Sequence, residues 1–107
     1  MQYQIRITSE AENDILDIFD YIAKKDSIES AHYILGNIEQ VIYSLESEPE
    51  RGHHPHELER QGIKAFRQLF FKPYRIIYEI AQQKVIVHIV VDGRREMTRL
   101  LERRLLR

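Results

Sequence analysis

Apolar and polar positions follow two rhythms along this chain. Between Gln2 and Thr8 the period is two: Tyr3, Ile5 and Ile7 fall on one side and Gln2, Gln4, Arg6 and Thr8 on the other, the pattern of a half-buried strand. From Ala11 the period becomes helical, with Ala11, Ile15, Ile18, Phe19 and Ile22 following a capping box read at Ser9 and Glu12. Asp14, Asp17 and Asp20 lie towards the opposite face, and Lys24-Lys25 suit the negative end of the helix dipole. A second helix is predicted from near Asp26-Ser27 to about Leu45, with Ala31, Ile34, Leu35, Ile38, Val41, Ile42 and Leu45 inward. The link is so short that the two helices must form an antiparallel hairpin.

Pro49, Gly52 and Pro55 break this pattern, and residues 46–62 predict a long polar loop. Apolar residues return at Phe66, Leu69, Phe70 and Phe71, a strand leading into the most informative stretch, Lys72 to Arg95. There two β-branched and aromatic runs flank Ala81-Gln82-Gln83-Lys84, which predicts a β-hairpin. With Gln82-Gln83 as the turn, Tyr74, Ile76, Tyr78 and Ile80 pair with Val91, Ile89, Val87 and Val85 on one apolar face. Arg75, Ile77 and Glu79 then oppose Val90, His88 and Ile86 on the other. After Asp92-Gly93, residues 94–107 predict a short basic amphipathic helix in which six of fourteen residues are arginine. The expected architecture is α+β: a small antiparallel sheet of one N-terminal and three C-terminal strands. An N-terminal helical hairpin packs on one face, and a short basic helix ends the chain. At 107 residues the chain is read as one domain, 1–107.

Composition narrows the function. A hydrophobic fraction of 43% argues for a folded globule. No apolar run approaches the roughly 20 residues of a membrane span, and the start Met-Gln-Tyr-Gln-Ile-Arg lacks the form of a signal peptide. The absence of cysteine excludes thiolate chemistry and fits a cytoplasmic protein. The net charge of -1 conceals a partition: residues 1–50 carry 11 acids and 3 bases, whereas residues 51–107 carry 13 bases and 6 acids. A basic C-terminal half points to a polyanionic or acidic partner, against the alternative of solvated helix faces.

Candidate chemistry is sparse. His53, His54 and His56, with Glu57 and Glu59 following, lie in a loop without the fixed spacing of a metal site and read as solvated. No metal or cofactor is expected. There is no Gly-x-Ser-x-Gly and no glycine-rich phosphate loop. Asp14, Asp17 and Asp20 read as a solvated helix face, and His88, inside a strand, as a packed and hydrogen-bonded histidine. What remains is cationic. Metal-free RNA cleavage needs a base, an acid and cations around the phosphorane. Arg75, Arg94 and Arg95 can supply cations, and His88, Tyr74, Tyr78 or Glu79 can move protons, but this register turns Tyr74 and Tyr78 into the core. The same arginines can grip phosphate without chemistry or dock an acidic peptide.

These residues together resemble the RelE/ParE toxin superfamily of type II toxin–antitoxin modules. The matching pieces are the opening strand, the helix Ala-Glu-Asn-Asp-Ile-Leu-Asp-Ile-Phe-Asp-Tyr-Ile-Ala and the Pro49-Glu-Arg-Gly52 link. Tyr74-Arg75-Ile-Ile-Tyr78 and Asp92-Gly93-Arg94-Arg95 complete the match. The resemblance implies a helical hairpin on an antiparallel sheet, bacterial cytoplasm, and a cognate antitoxin that wraps the toxin in a hetero-oligomer. RelE-like members cleave mRNA in the ribosomal A site with strand lysines, two arginines and a C-terminal tyrosine. Arg75 and Arg95 match the arginines, but Phe66 and Gln68 stand at the lysine positions and Leu101 at the tyrosine position. Lys64, Arg67 and Lys72 lie nearby, and no tyrosine follows Tyr78. ParE-like members poison DNA gyrase and are not enzymes in the usual sense. The two-helix hairpin and Met97-Thr98-Arg99-Leu100 align the chain with that branch. The resemblance thus implies gyrase as the target, with a metal-free mRNA endoribonuclease acting on the ribosome as the alternative. Arg75, Arg95 and His88 are the catalytic candidates on that alternative. Arg75, Arg94, Arg95, Arg99 and Arg103 are the candidate contacts to target or antitoxin.

Overall fold

The computed structural model describes residues 2–106; Met1 and Arg107, the last arginine of the predicted C-terminal helix, lie outside the described residues. Strand β1 (Gln4–Ile7) ends at Thr8, whose amide still donates to Val87 O at 3.1 Å. The same residue caps helix α1 (Ser9–Lys25), its Oγ1 accepting from Ala11 N at 3.1 Å. The cap therefore sits one residue before the predicted Ser9, because Thr8 serves both as the end of the strand and as the first acceptor of the helix. Ser27 caps α2 (Ile28–Tyr43) in the same way, accepting from Ser30 N at 3.0 Å, and a 3-10 turn at Ser44–Glu46 carries Leu45 into the core.

The antiparallel hairpin lies across a four-stranded sheet, α1 over β4 and α2 over β2. The strands are β2 (Phe66–Phe71), β3 (Tyr74–Ala81) and β4 (Lys84–Asp92), in the order β1-β4-β3-β2. The three C-terminal strands are antiparallel as expected, but β1 runs parallel to β4, so the sheet is mixed. A parallel neighbour needs a long crossover, and everything between Ile7 and Lys84 supplies it. Alternation within one short strand says nothing about its direction.

The predicted hairpin register holds from Tyr78 to Ala81, where Tyr78 faces Val87 and Ala81 faces Lys84. Beyond that point a β-bulge displaces it by one residue: Ile77 faces Ile89, Arg75 faces Val91 and Tyr74 faces Asp92. His88 is the extra residue, rather than the partner of Ile77. A one-residue shift exchanges the two faces of a strand. Val85, Val87 and Val90 therefore join Ile38, Ile42 and Tyr78 under the helices. Ile89 and Val91 turn away to join Ile77 in a second core on the opposite face. Helix α4 (Met97–Leu105) covers that core with Met97, Leu100 and Leu101, all buried. The face that carries Arg75 and Glu79 thus also holds a second apolar core.

Residues 46–62 are ordered rather than a simple polar loop. They hold a 3-10 turn at Pro49–Arg51 and a single helical turn, α3 (His56–Glu59), with Pro49, Gly52, Pro55 and Leu58 buried. Tyr78 anchors them: its phenol donates to Pro49 O at 2.7 Å and accepts from Gly52 N at 3.1 Å. A Cβ on Gly52 would lie 2.5 Å from the Tyr78 Oη and 2.6 Å from Gln68 O, so only glycine permits the approach.

Candidate functional site

Arg75 enters the site from β3, opposite Phe70 on one side and Val91 on the other, and its side chain is only 8% exposed. Such a charge needs a partner. Glu57, presented by α3, accepts from Nη1 at 2.7 Å and from Nη2 at 2.9 Å, while Gln68 Oε1 accepts from Nε at 2.8 Å. The hydrogen bonds from Arg75 outweigh burial and hold the Glu57 carboxyl at about 2. Gly93 packs against the aliphatic stem, where an added Cβ would lie 2.6 Å from the Arg75 Cδ. The charge of Arg75 is consumed within the fold.

Of the other candidates, Arg94 lines a cleft with Arg75, whereas His88, Arg95, Arg99 and Arg103 do not. His88, in the bulge, lies level with Ile77 and Tyr78, about 10 Å along the strand from Arg75 at the usual rise per residue. Its Nε2 is 2.7 Å from Glu79 Oε1, and its ring meets that of Phe66 edge-on at 5.7 Å. Phe66 and Gln68, at the positions that the resemblance assigns to lysines, pack on the second core and bind Arg75 respectively. Arg94 folds back on Asp92, with Nε to Oδ1 at 2.9 Å and Nη2 to Oδ2 at 2.6 Å, which holds the Asp92 carboxyl below its usual range. Tyr74 and Tyr78 both face the helices, and burial raises both phenols.

Arg104 and Asp14 carry no sequence signal of a site, yet they form a junction. The Arg104 Nη2 donates to Asp14 Oδ2 at 3.0 Å and to His88 O at 2.8 Å, and Nη1 to Asp14 Oδ1 at 3.2 Å. Glu10 stands 3.7 Å from Nε. Asp14 Oδ2 also accepts from Val90 N at 3.0 Å, taking the place that a longer β1 would occupy along β4. Asp14 is therefore not part of a solvated face, whereas Asp17 and Asp20 are exposed. Its spacing of three from Asp17 gives no sign of this, because its partners lie 76 and 90 residues away.

The histidine segment is tied down in part, although His53 and His56 are exposed. His53 bridges to Gln68 in the backbone with its ring 5.7 Å from Phe70, and His54 Nδ1 is 3.0 Å from Phe66 O. With Lys72, Arg75 and Arg94 they line a cleft of about 550 Å³. Among the described residues no group of three or more His, Asp or Glu could hold a metal ion. A larger open groove, about 670 Å³, runs between the helical hairpin and the β2–β3 turn, lined by Tyr21, Tyr33, Pro73 and Tyr74 among others. The exposed large apolar residues cluster on the hairpin: Leu16, Tyr21, Ile28, Tyr33 and Tyr43. Arg95, Arg99 and Arg103 share a third groove of about 420 Å³ along α4. Among the described residues no helix is long and apolar enough to cross a membrane. The arrangement offers an apolar groove and free cations for binding, with the buried arginine tied down.

Comparison with known proteins bears on the family and the fold. The profile of the family described as the ParE toxin of type II toxin–antitoxin system, parDE, matches residues 5–97. No curated protein sequence matches. A solved structure of the chromosomal ParDE system from P. aeruginosa superposes with a TM-score of 0.71 at 14% identity, covering 85% of this chain and 96% of that one. The toxin–antitoxin complex RelBE2 from Mycobacterium tuberculosis gives a TM-score of 0.64 at 20% identity, covering 86% and 99%.

Proposed function

The chain belongs to the ParE toxin family of type II toxin–antitoxin systems, and we propose that it acts as a poison of DNA gyrase restrained by a cognate antitoxin. The observation that carries this reading is the state of Arg75. A ribosomal nuclease would need that guanidinium at the scissile phosphate, yet it is buried, doubly bonded to Glu57 and bonded again to Gln68. A cation already paired with a carboxylate, with three of its five N–H donors engaged, offers a transition state less stabilisation than a free one. Of the other catalytic candidates, His88 is bonded to Glu79 rather than to Arg75. Arg75 then works as a strut that fixes α3 and the Gly93 turn, while Arg95, Arg99 and Arg103, together with Arg94 in its solvent-open pair with Asp92, serve contact with target or antitoxin.

The antitoxin's apolar contacts fit the groove at Tyr21, Tyr33 and Tyr74, where aromatic surface stands open beside Lys25. Exposed arginines at the other side of the sheet would speed association with an acidic partner. Tightly controlled induction in bacteria carrying a DNA-damage reporter, with colony counts alongside, tests the reading. Loss of viability with a strong damage response is expected. Growth arrest with a silent reporter would transfer the target to the ribosome and return Arg75 and Arg95 to the catalytic list.

A further inference from the structure

We propose that the outer face of α4 is a contact surface for the phosphate backbone of duplex DNA, with Arg95, Arg99 and Arg103 each meeting one phosphate. The inference deepens the gyrase reading, on which its biological setting rests: the duplex would be the DNA held by the topoisomerase.

Three features of α4 lead there. The first is pairing. Of the arginines between residues 75 and 106, Arg75 is held by Glu57, Arg94 by Asp92 and Arg104 by Asp14. Among the described residues the side chains of Arg95, Arg99 and Arg103 have no hydrogen bond or ion pair, although all three are exposed and line one groove. Of the acids on the helix, Glu96 is engaged as the N-cap, its Oε2 accepting from Arg99 N at 2.9 Å. Glu102 is exposed and, among the described residues, lies in no ion pair. Arg99 and Arg103 repel as like charges four residues apart, while Arg103 in the last turn also meets the negative end of the helix dipole.

The second feature is spacing. Arg99 and Arg103 are separated by about 6 Å along the helix axis, and Arg95 extends the row towards the sheet. Guanidinium groups in such a row can each make forked hydrogen bonds to a phosphate. The third is what the ridge lacks. The exposed large apolar side chains lie on α1, α2 and β2, with only Leu106 beyond the end of α4. A peptide partner needs apolar anchors, and those are provided across the sheet on the helical hairpin. A groove lined by three arginines, Leu100 and one capping glutamate instead suits a polyanion, whose binding is driven by release of condensed counterions. No Asn or Gln lies on α4 to read adenine edges, and the contact proposed for the three arginines is to phosphate.

The test is fluorescence anisotropy of the purified full-length chain with a labelled duplex of arbitrary sequence, across a salt series. Three phosphate contacts give a log–log salt slope of about -2.7, so affinity should fall about 40-fold between roughly 50 and 200 mM salt. The triple variant R95A/R99A/R103A should lose this slope while keeping the native circular dichroism and melting profile, and R95K/R99K/R103K should retain most of it. An unchanged slope in the alanine variant would overturn the proposal. So would a native chain that ignores the duplex at low salt but binds poly-glutamate. Gyrase supercoiling assays on the same samples separate the two readings. Arginine-dependent duplex binding by a chain that leaves gyrase untouched would refute the gyrase reading and keep the DNA contact.

Discussion

The Glu57 carboxylate grips the Arg75 guanidinium through two hydrogen bonds of 2.7 and 2.9 Å, although 18 residues separate them in the chain. The contact joins the short α3 turn to the central strand β3. Removing Glu57 would leave a buried cation without its counter-charge. Glu57→Ala should therefore destabilise the fold by about 3 kcal/mol, measured by urea denaturation. Glu57→Gln, which keeps an acceptor in place, should cost less. Equal stability of Glu57→Ala and the native chain would show that the pair contributes nothing.

The same pair makes stability depend on acid. The Glu57 carboxyl lies at about 2 in the folded chain against its ordinary 4.5, so the folded state binds this proton less readily than the unfolded state. Its contribution is complete above pH 4.5 and disappears as pH falls towards 2. Unfolding free energy measured between those limits should decline more steeply for the native chain than for Glu57→Gln. Parallel curves would exclude Glu57 as a source of acid sensitivity.

Tyr78 has no exposed surface and supplies both a ring to the core and a hydroxyl to the Pro49–Gly52 segment. Tyr78→Ala should cost on the order of 3 kcal/mol or more through the cavity it leaves. Tyr78→Phe should cost about 1–3 kcal/mol, because Pro49 O and Gly52 N lose their buried partner. Thermal melts of the two variants separate packing from hydrogen bonding, and a native melt for Tyr78→Ala would contradict its place in the core.

Arg94 and Arg95 are exposed, and the Arg94–Asp92 pair is open to solvent, so neither should matter much to folding. The double variant R94A/R95A should retain the native melt within about 1 kcal/mol and lose toxicity on induction. Full toxicity in a folded double variant would remove these residues from the functional surface.

Asp14 closes the edge of β4 beyond the end of β1. Asp14→Ala should leave the Val90 amide without its acceptor and free Arg104, at a cost of about 2 kcal/mol. The sharper readout is local: amide hydrogen exchange at Val90 should accelerate, while that at Tyr78, in the middle of the sheet, changes only with global stability.

Much of this architecture is legible from spacing alone. The helical hairpin follows from 3.6-residue periodicity, and β3 and β4 from β-branched runs around Gln82-Gln83. What escapes is set by contacts distant in sequence. The direction of β1 depends on which strand it joins. The bulge at His88 shows only once both faces of β4 are seen to be covered. Ile89, Val90 and Val91 form an unbroken apolar run after the histidine, and such a run fits either register equally well. Residues 46–62 are rich in polar side chains, yet their order comes from backbone atoms of Pro49 and Gly52 meeting one distant phenol. For the site, the arginines between residues 75 and 103 are visible as a group. The acids that divide them into bound and free ones, Glu57 and Asp92, have no pattern to reveal that role.

Ahead of the bulge at His88 the odd-numbered residues of β4, Val85 and Val87, face the helical hairpin. After it the even-numbered Val90 does, while Ile89 and Val91 serve the core beneath α4. One inserted residue thus acts as a frame-shift within the strand, and the two layers of the protein are read in different frames. The identity of residue 88 matters little to this arithmetic, because its side chain is partly exposed. Deleting it would remove the bulge and leave Ile89, Val90 and Val91 on the faces they now occupy, because they already pair with Ile77, Ile76 and Arg75. Deleting a paired residue of β4 while the bulge stays would instead exchange the faces of the residues on one side of the gap.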